Sequence, residues 1–183
     1  DQVDRAGERD WLYAAVEAPI QSPPAEAIRH RAERLVEAEE FESFMMKRFP
    51  GTKRFSGEGV DSQIVLLDAL FARAVGQGIA KTVIAPVHRG RLQLMHNVFA
   101  KPLAAIFAEI GGVSAFPEGI GISGDVTYHL GTTVEIAVGG GRLKVEMIPN
   151  PSHLEAIDPV VAGLARATQD GRDTRSVLPL MVH

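Results

Sequence analysis

Apolar residues recur every three or four positions along several stretches of the chain, which is the spacing of an amphipathic helix. This pattern predicts helices over residues 25–47, 61–74, 92–100 and 103–110. Another helix is expected to begin with Asp158–Pro159 as N-cap and first position, and to reach about residue 169. In the helix over 61–74, the residues expected to be buried are Ile64, Leu66, Leu67, Leu70 and Phe71.

Other stretches have the patterns of strands. The β-branched run at residues 81–84 predicts a buried strand, and residues 176–183 predict the last strand of the chain. Residues 132–138 and 143–148 alternate apolar and polar positions on either side of three glycines, so they predict a β-hairpin. Strands mixed with helices in this way indicate an α/β fold.

The composition narrows the class of protein. The chain has 183 residues, of which 45 % are hydrophobic and 23 % charged, and this suits one good core or two small ones. A net charge of -4 gives no support for a nucleic-acid surface. The absence of cysteine excludes a disulfide framework and thiolate metal sites, and no apolar run is long enough for a membrane span.

Three regions are expected. Residues 1–24 predict a linker or N-terminal arm, residues 25–50 a helical segment, and residues 51–183 an incomplete α/β domain. The chain starts without Met and stops within a predicted strand, so we expect a piece of a longer protein. Residues 111–131 are Gly-rich and predict a long loop, either functional or disordered. Their Gly-x-Gly-x-x-Gly run neither follows a strand nor opens a helix, which favours a mobile loop over a dinucleotide site.

The turn after the predicted strand at 81–84 carries the first candidate chemistry. His88, Arg89 and Arg91 lie between that strand and the next helix. Ligands of α/β folds bind outside the carboxyl ends of the strands, and arginine stays charged at any working pH. An anionic ligand, phosphate or carboxylate, is therefore one interpretation. The other is that the arginines are solvated surface charges and His88 is a loop residue.

Three histidines lie in or beside turns next to Gly, Pro or Ser: His88, His129 and His153. Such turns can meet at one edge of a sheet, where a cluster of His and Arg could hold a dicarboxylate and move protons near neutral pH. No pair of these histidines has the spacing of metal ligands, so a zinc site is not expected.

Four motifs together give a specific resemblance. They are FPGTKRFSGEG at residues 49–59, HRGRL at 88–92, SGDVTYHLG at 123–131 and NPSHLEA at 150–156. In this order and spacing they resemble the E1 component of 2-oxoglutarate dehydrogenase, over about residue 30 to the end. The resemblance implies thiamine-dependent oxidative decarboxylation of a 2-oxo dicarboxylic acid, with transfer of the acyl group to a lipoyl-bearing E2.

The fold and partners that this resemblance implies are those of a partial chain. We expect part of one thiamine-diphosphate-binding α/β domain, with an N-terminal helix and a β-hairpin insertion. The cofactors would be thiamine diphosphate and Mg²⁺, whose protein ligands would lie beyond the C-terminal end of this chain. The complete E1 would be a homodimer that works with E2 and E3, without nucleic acid or membrane. Its location would be the bacterial cytoplasm or the mitochondrial matrix.

The resemblance also implies roles for individual residues. Arg91 and Leu154 would contact thiamine diphosphate, and His129 and Ser152 would bind the oxo acid. His88 and His129 would be the catalytic histidines. We therefore expect His88, His129 and Ser152 to converge near the carboxyl ends of neighbouring strands, with Arg91 close by. Without the missing metal ligands, the chain alone is expected to be inactive.

Some positions depart from the family pattern. Gln93 stands where the family usually has Asn. Residues 116–118 and 147–149 look closer to the paralogue that acts on 2-oxoadipate, whereas residues 129–131 look closer to the 2-oxoglutarate enzyme. Two alternatives thus stay open: a 2-oxoadipate dehydrogenase E1, or a non-catalytic α/β module that binds anions.

Overall fold

The computed structural model describes residues 3–113, 127–151, 153–171 and 176–182. Its helices are α1 (Ala6–Val16), α2 (Ala25–Arg48), α3 (Ser62–Gly76), α4 (Arg91–Asn97), α5 (Leu103–Ile110) and α6 (Leu154–Gln169). Its strands are β1 (Lys81–Pro86), β2 (Thr132–Val138), β3 (Gly141–Met147) and β4 (Val177–Val182), and a single 3-10 turn spans Thr127–His129. The Gly-x-Gly-x-x-Gly run lies outside the described residues.

The chain divides into two compact units, Asp1–Arg31 and Ala32–His183. The first unit contains α1 and the beginning of α2, and no residue of α1 is buried. The predicted arm over residues 1–24 therefore includes a helix. The second unit contains the sheet and the remaining elements, and it carries all the candidate site residues. The division into three regions stays a prediction.

The second unit is built on a four-stranded mixed sheet of order β2-β3-β1-β4. Strand β1 runs parallel to both β3 and β4, whereas β2 and β3 form the antiparallel hairpin. The α/β class and the hairpin are thus confirmed. The parallel strands place their carboxyl ends at one edge of the sheet, which we call the carboxyl edge.

Hydrophobic side chains pack on both faces of this sheet. One core lies among α2, α3, α4 and α5, and the other lies under α6. Strand β1 serves both, because Ile84 points into the first core while Val83 and Ala85 point into the second. This two-sided burial explains why the sequence of β1 is a continuous apolar run, as expected for a strand of a covered parallel sheet.

An ion-pair network in the second unit fixes the far end of α4. The Arg34 guanidinium on α2 donates to the Asp68 carboxylate on α3 at 2.8 Å and also to the carbonyl of Asn97. Asn97 is the last residue of α4, so these contacts hold the helix whose first residue is Arg91. Among the described residues, no helix is long and apolar enough to cross a membrane.

Two predictions of helix detail are wrong. Leu66 is not buried, because 66 % of it is exposed, while Ile64, Leu67 and Phe71 form the buried stripe of α3. Two residues along a helix turn the side chain through about 200°, which places Leu66 opposite Ile64. Helix α4 ends at Asn97 and not near Ala100, whose φ of 53° is incompatible with a continuing helix.

The start of the last helix was also predicted wrongly. Helix α6 begins at Leu154, with His153 as its N-cap residue, and Pro159 lies inside it. A proline near the start of a helix removes one backbone hydrogen bond, which the remaining turns tolerate when the apolar face is well buried. Ile157, Val161 and Ala165 supply that buried face. Packing therefore extends the helix past the signal that Asp158–Pro159 gives locally.

The tight turn of the β2–β3 hairpin packs closely against the backbone of α3. Gly139 and Gly140 have φ values of 60° and 78°, but only Gly139 would place a Cβ against α3, at 2.8 Å from the carbonyl oxygen of Ala72. We expect Gly140→Ala to lower the free energy of unfolding by roughly 1–2 kcal/mol, which is the cost of the left-handed conformation. Gly139→Ala is expected to cost at least about 1 kcal/mol more, because backbone must move. Equal losses in urea unfolding would refute the contact.

Candidate functional site

The topology of the sheet brings three separate turns to the carboxyl edge. The first follows β1 and contains His88, and the second precedes β2 and contains His129. The third follows β3 and contains Asn150. Strand β2 starts at this edge because Thr132 pairs with Met147, the last residue of β3. The edge therefore collects the polar residues of three turns that lie far apart in sequence.

The buried side chain of Arg91 connects these three turns. The residue is fully buried, and its guanidinium donates to the carbonyls of Pro86 at 2.9 Å, Leu130 at 3.0 Å and Ile148 at 2.7 Å. It also donates to the side-chain oxygen of Asn150 at 2.7 Å. A planar fork of five N–H donors is suited to such a task, which the single ammonium of lysine cannot perform. Arg91 thus holds the backbone of the site.

Asn150 completes this framework. It is 2 % exposed, and besides accepting from Arg91 it donates from Nδ2 to the carbonyls of Pro86 at 3.1 Å and Pro151 at 2.9 Å. Its backbone N–H donates to the carbonyl of His129 at 3.0 Å. Asn150 therefore links its own turn to the turn after β1 and to the turn that contains His129, whose backbone it anchors.

Four rings lie above this framework, and we call Phe55, His88, Tyr128 and His129 the ring cluster. The centroids of Phe55 and His88 are 4.8 Å apart, and Tyr128 meets both rings edge-on at 4.8 Å and 5.0 Å. Phe55 has a φ of 45°, and its carbonyl accepts a hydrogen bond from the Gly90 N–H at 2.8 Å. The strained residue thus joins the turn at 53–59 to the turn that carries His88.

The two histidines of the ring cluster touch through their nitrogens. The Nε2 atoms of His88 and His129 are 2.8 Å apart, and the ring centroids are 4.8 Å apart. A contact between two imidazole nitrogens needs one N–H donor and one neutral acceptor, so the pair shares a single proton at this point. Two imidazolium rings could not keep this contact, because both nitrogens would then be donors.

The electrostatic environment favours a neutral His88. Burial lowers the pKa of His88 below its ordinary value of 6.5, and the nearby His129, Arg91 and His153 lower it further. Burial also lowers the pKa of Arg91 to about 10, which still leaves the guanidinium charged at neutral pH. The site thus combines a permanent cation with a His88 ring that favours its neutral form.

The lowered pKa of His88 gives a pH-dependent stability. Because the folded state favours the neutral ring, its contribution is fully present above the unfolded pKa of 6.5 and is lost as the pH falls through the folded-state pKa. We therefore expect the melting temperature to fall between about pH 7 and about pH 5, and to fall less in His88→Asn. His30→Asn, at an exposed position on α2, is the control. An identical fall in all three proteins would argue against the neutral pair.

The structure brings together part of the expected set. His88, His129 and Arg91 converge at the carboxyl edge, and Ser152 lies outside the described residues. Leu154 is the first residue of α6, and only its backbone is described. Arg89 is exposed and donates to the carbonyl of Glu58 at 3.1 Å. The ligand contacts assigned to these residues stay predictions.

Sequence reasoning missed Asn150 as a site residue. It was visible only as the first residue of the NPSHLEA motif, and an Asn before a Pro reads as an ordinary turn signal. Gln93, at the position where the resemblance leads us to expect Asn, is fully buried. Its amide donates to the carbonyl of Ala38 at 3.2 Å and to Asp61 at 3.3 Å. The Gln93 side chain therefore joins α4 to α2.

Other parts of the second unit suit an anion less well. A cavity of about 450 Å³ lies between α2 and the segment after it. Its charged lining consists of one arginine and four carboxylates: Arg54, Glu39, Glu42, Glu58 and Asp61. Among the described residues, no group of three His, Cys, Asp or Glu side chains could hold a metal ion. The carboxyl edge thus remains the best candidate site for an anion.

Comparison with known proteins agrees with the motifs. The chain is 42 % identical over 182 residues to the 2-oxoglutarate dehydrogenase E1/E2 component of Corynebacterium glutamicum, covering 96 % of this chain and 15 % of that protein. It is 38 % identical over 186 residues to the 2-oxoglutarate dehydrogenase E1 component of Rickettsia felis, covering 100 % of this chain and 19 % of that protein. This chain is homologous to a segment of the 2-oxoglutarate dehydrogenase E1 component. The resemblance inferred from the motifs is thereby confirmed.

A third relative of this chain has a broader name. It is the multifunctional 2-oxoglutarate metabolism enzyme of Mycolicibacterium vanbaalenii, with 38 % identity over 184 residues, 96 % of this chain and 15 % of that protein. The chain thus spans a fifth or less of the length of these curated relatives. No protein-family model matches the chain.

Proposed function

We propose that this chain is part of a 2-oxoglutarate dehydrogenase E1 component and supplies one side of its active site. The reaction is the thiamine-dependent oxidative decarboxylation of a 2-oxo dicarboxylic acid, with transfer of the acyl group to a lipoyl-bearing E2. The observation that carries the proposal is the buried Arg91 cation beneath the His88–His129 contact, at the edge of the sheet where α/β proteins bind ligands.

The residues present fit an anionic cofactor. Burying a guanidinium without a carboxylate partner is unfavourable, and a bound anion would offset that cost. Among the described residues, the hydrogen-bond acceptors of the Arg91 guanidinium are neutral oxygens. When bound, thiamine diphosphate supplies the carbanion-stabilising chemistry that decarboxylation of a 2-oxo acid requires. By the family resemblance, Arg91 and Leu154 would hold it, and Mg²⁺ would be bound by residues beyond this chain.

The ring cluster suits the oxo acid. His88 and His129 offer imidazole nitrogens that can donate to a carboxylate once the proton they share is rearranged or a second one is taken up. Phe55 and Tyr128 border the same histidines and present apolar surface for the methylene chain of such a substrate. By the resemblance, His129 and Ser152 bind the substrate, and His88 and His129 act in the reaction.

The partners and location follow from the same proposal. The E1 would form a homodimer and act with E2 and E3, with no role for nucleic acid or a membrane. The relatives reported above are from bacteria, which favours the cytoplasm over the mitochondrial matrix. The 2-oxoadipate enzyme is the alternative substrate assignment, because residues 147–149 resemble that paralogue.

The test is a decarboxylation assay of the complete polypeptide that carries this chain. We expect CO₂ release from 2-oxoglutarate, or from 2-oxoadipate for the alternative, that requires both thiamine diphosphate and Mg²⁺. The 183-residue chain alone is expected to release none, because the resemblance implies that the metal ligands lie outside it. Failure with both acids in the complete, folded polypeptide would favour the anion-binding module that lacks catalysis.

A further inference from the structure

At the carboxyl edge, the buried Arg91 guanidinium has hydrogen-bond acceptors but, among the described residues, no carboxylate partner. Every nitrogen of the Arg91 guanidinium donates to a carbonyl or amide oxygen. Among the described residues, no Asp or Glu side chain forms an ion pair with it. Buried charges in proteins are normally paired, so this arrangement calls for an explanation.

Asn150 occupies the position where a carboxylate would pair with Arg91. Its Oδ1 accepts from Nη1 of Arg91 at 2.7 Å, a geometry that an aspartate oxygen could adopt equally well. The amide differs from a carboxylate in two respects: it is neutral, and its Nδ2 donates to the carbonyls of Pro86 and Pro151. Asparagine can therefore orient the guanidinium and satisfy both carbonyls without cancelling the positive charge.

We propose that Asn150 is a positioning residue that holds Arg91 in place while leaving its charge uncompensated, so that the carboxyl edge attracts an anion. The identity of that anion, a diphosphate or a carboxylate, rests on the proposed function. The retained charge itself rests only on the contacts described here.

The charge of Arg91 reaches the ring cluster. It contributes to lowering the pKa of His88, alongside burial and the two other histidines. In the partly buried environment of this edge, a charge acts strongly over several ångströms. A carboxylate at position 150 would offset this charge, so it would raise the pKa of His88 and weaken the attraction for a bound anion.

The first experiment compares Asn150→Asp with Asn150→Ser and Gln77→Glu in the complete polypeptide. Asn150→Ser loses the amide contacts but adds no charge. Gln77→Glu adds the same charge at an exposed position before the amino end of β1. Calorimetric binding is measured with thiamine diphosphate in Mg²⁺, with thiamine, and with glutarate, which cannot be decarboxylated. We expect Asn150→Asp to lower the affinity for thiamine diphosphate or for glutarate by roughly tenfold or more. The affinity for thiamine, which lacks the diphosphate, should fall much less.

The second readout needs no ligand and follows His88 directly. Diethyl pyrocarbonate modifies neutral imidazole, so the pH dependence of His88 modification, read by mass spectrometry, reports its protonation. Asn150→Asp is expected to shift the midpoint of His88 to higher pH, whereas Asn150→Ser and Gln77→Glu leave it near the wild-type value. A purely structural role for Asn150 would move the Ser and Asp variants alike and would overturn the proposal.

If Asn150→Asp does not fold, a further pair of variants tests whether the charge of Arg91 attracts the anion. Arg91→Lys and Arg91→Gln both lose the planar fork, but only the lysine keeps the charge. We expect folded Arg91→Lys to bind the anion at least about tenfold more tightly than folded Arg91→Gln. Equal binding by the two would overturn the proposal. A wild-type protein that binds neither anion would refute the proposed function, and the His88 midpoints would then still decide the role of Asn150.

Discussion

Replacing Arg91 with methionine is expected to lower the free energy of unfolding by about 3 kcal/mol. The buried guanidinium donates to backbone carbonyls of three separate turns, at Pro86, Leu130 and Ile148. Each buried carbonyl that loses its donor costs about 1–3 kcal/mol, and removal of a buried unpaired cation offsets part of the total. Urea unfolding of the wild-type and variant proteins measures the difference.

Two variants serve as references for this loss. Arg89→Met changes the exposed arginine of the same turn, which donates to the carbonyl of Glu58, and should stay within about 0.5 kcal/mol of wild type. Arg91→Lys should also destabilise, because one ammonium cannot reach all three carbonyls. If Arg91→Met is as stable as Arg89→Met, the guanidinium does not hold the turns together.

The sequence predicts the elements of the fold well wherever local pattern and burial agree. The continuous apolar run of β1, the alternation of β2 and β3, and the glycines between the latter two all led to the observed strands. The errors occur where tertiary packing overrides a local signal. Asp158–Pro159 looks like the start of a helix. Helix α6 nevertheless begins four residues earlier, at Leu154, because its buried face includes Ile157.

The site could be predicted only in part. The chemistry of the HRGRL turn and of His129, together with the family motifs, identifies them as candidates, and the mixed sheet brings them to one edge. The sequence does not show which of these residues faces a ligand and which one holds the backbone of the site. Arg91 was expected to face a ligand, yet its donors are directed at carbonyls of its own chain. That arrangement depends on contacts across about 40 to 60 residues, which no local pattern reveals.

Because Arg91 holds the backbone of the site, its variants must be interpreted differently from those of His129. Loss of activity in an Arg91 variant can come from lost anion affinity or from a collapsed carboxyl edge, so activity alone cannot identify its role. His129 is a better probe of ligand binding, because its side chain is partly exposed and its backbone is held separately by the N–H of Asn150. A side-chain truncation there leaves the supporting framework intact.

On the proposed function, we expect His129→Ala in the complete polypeptide to impair use of the oxo acid more than binding of thiamine diphosphate. The imidazole lies in the ring cluster and is partly exposed, with its Nε2 2.8 Å from the Nε2 of His88, so it can donate to a carboxylate. Losing one charged hydrogen bond to a bound carboxylate should cost roughly 1.5–3 kcal/mol, or one to two powers of ten in kcat/KM. The cofactor concentration needed for half activity should change little, because Arg91 and its carbonyl partners remain in place.

The assay titrates 2-oxoglutarate and 2-oxoadipate separately at saturating thiamine diphosphate and Mg²⁺, with His30→Ala as the control at an exposed position. His129→Asn, which keeps a neutral donor, should recover part of the lost kcat/KM if hydrogen bonding to the substrate is the cause. Small and equal effects of His129→Ala on both acids, together with weaker cofactor binding, would instead assign His129 to the cofactor. A larger loss with one acid than with the other would show which carboxylate chain length places its terminal group against His129, and so which of the two substrates the ring cluster accommodates.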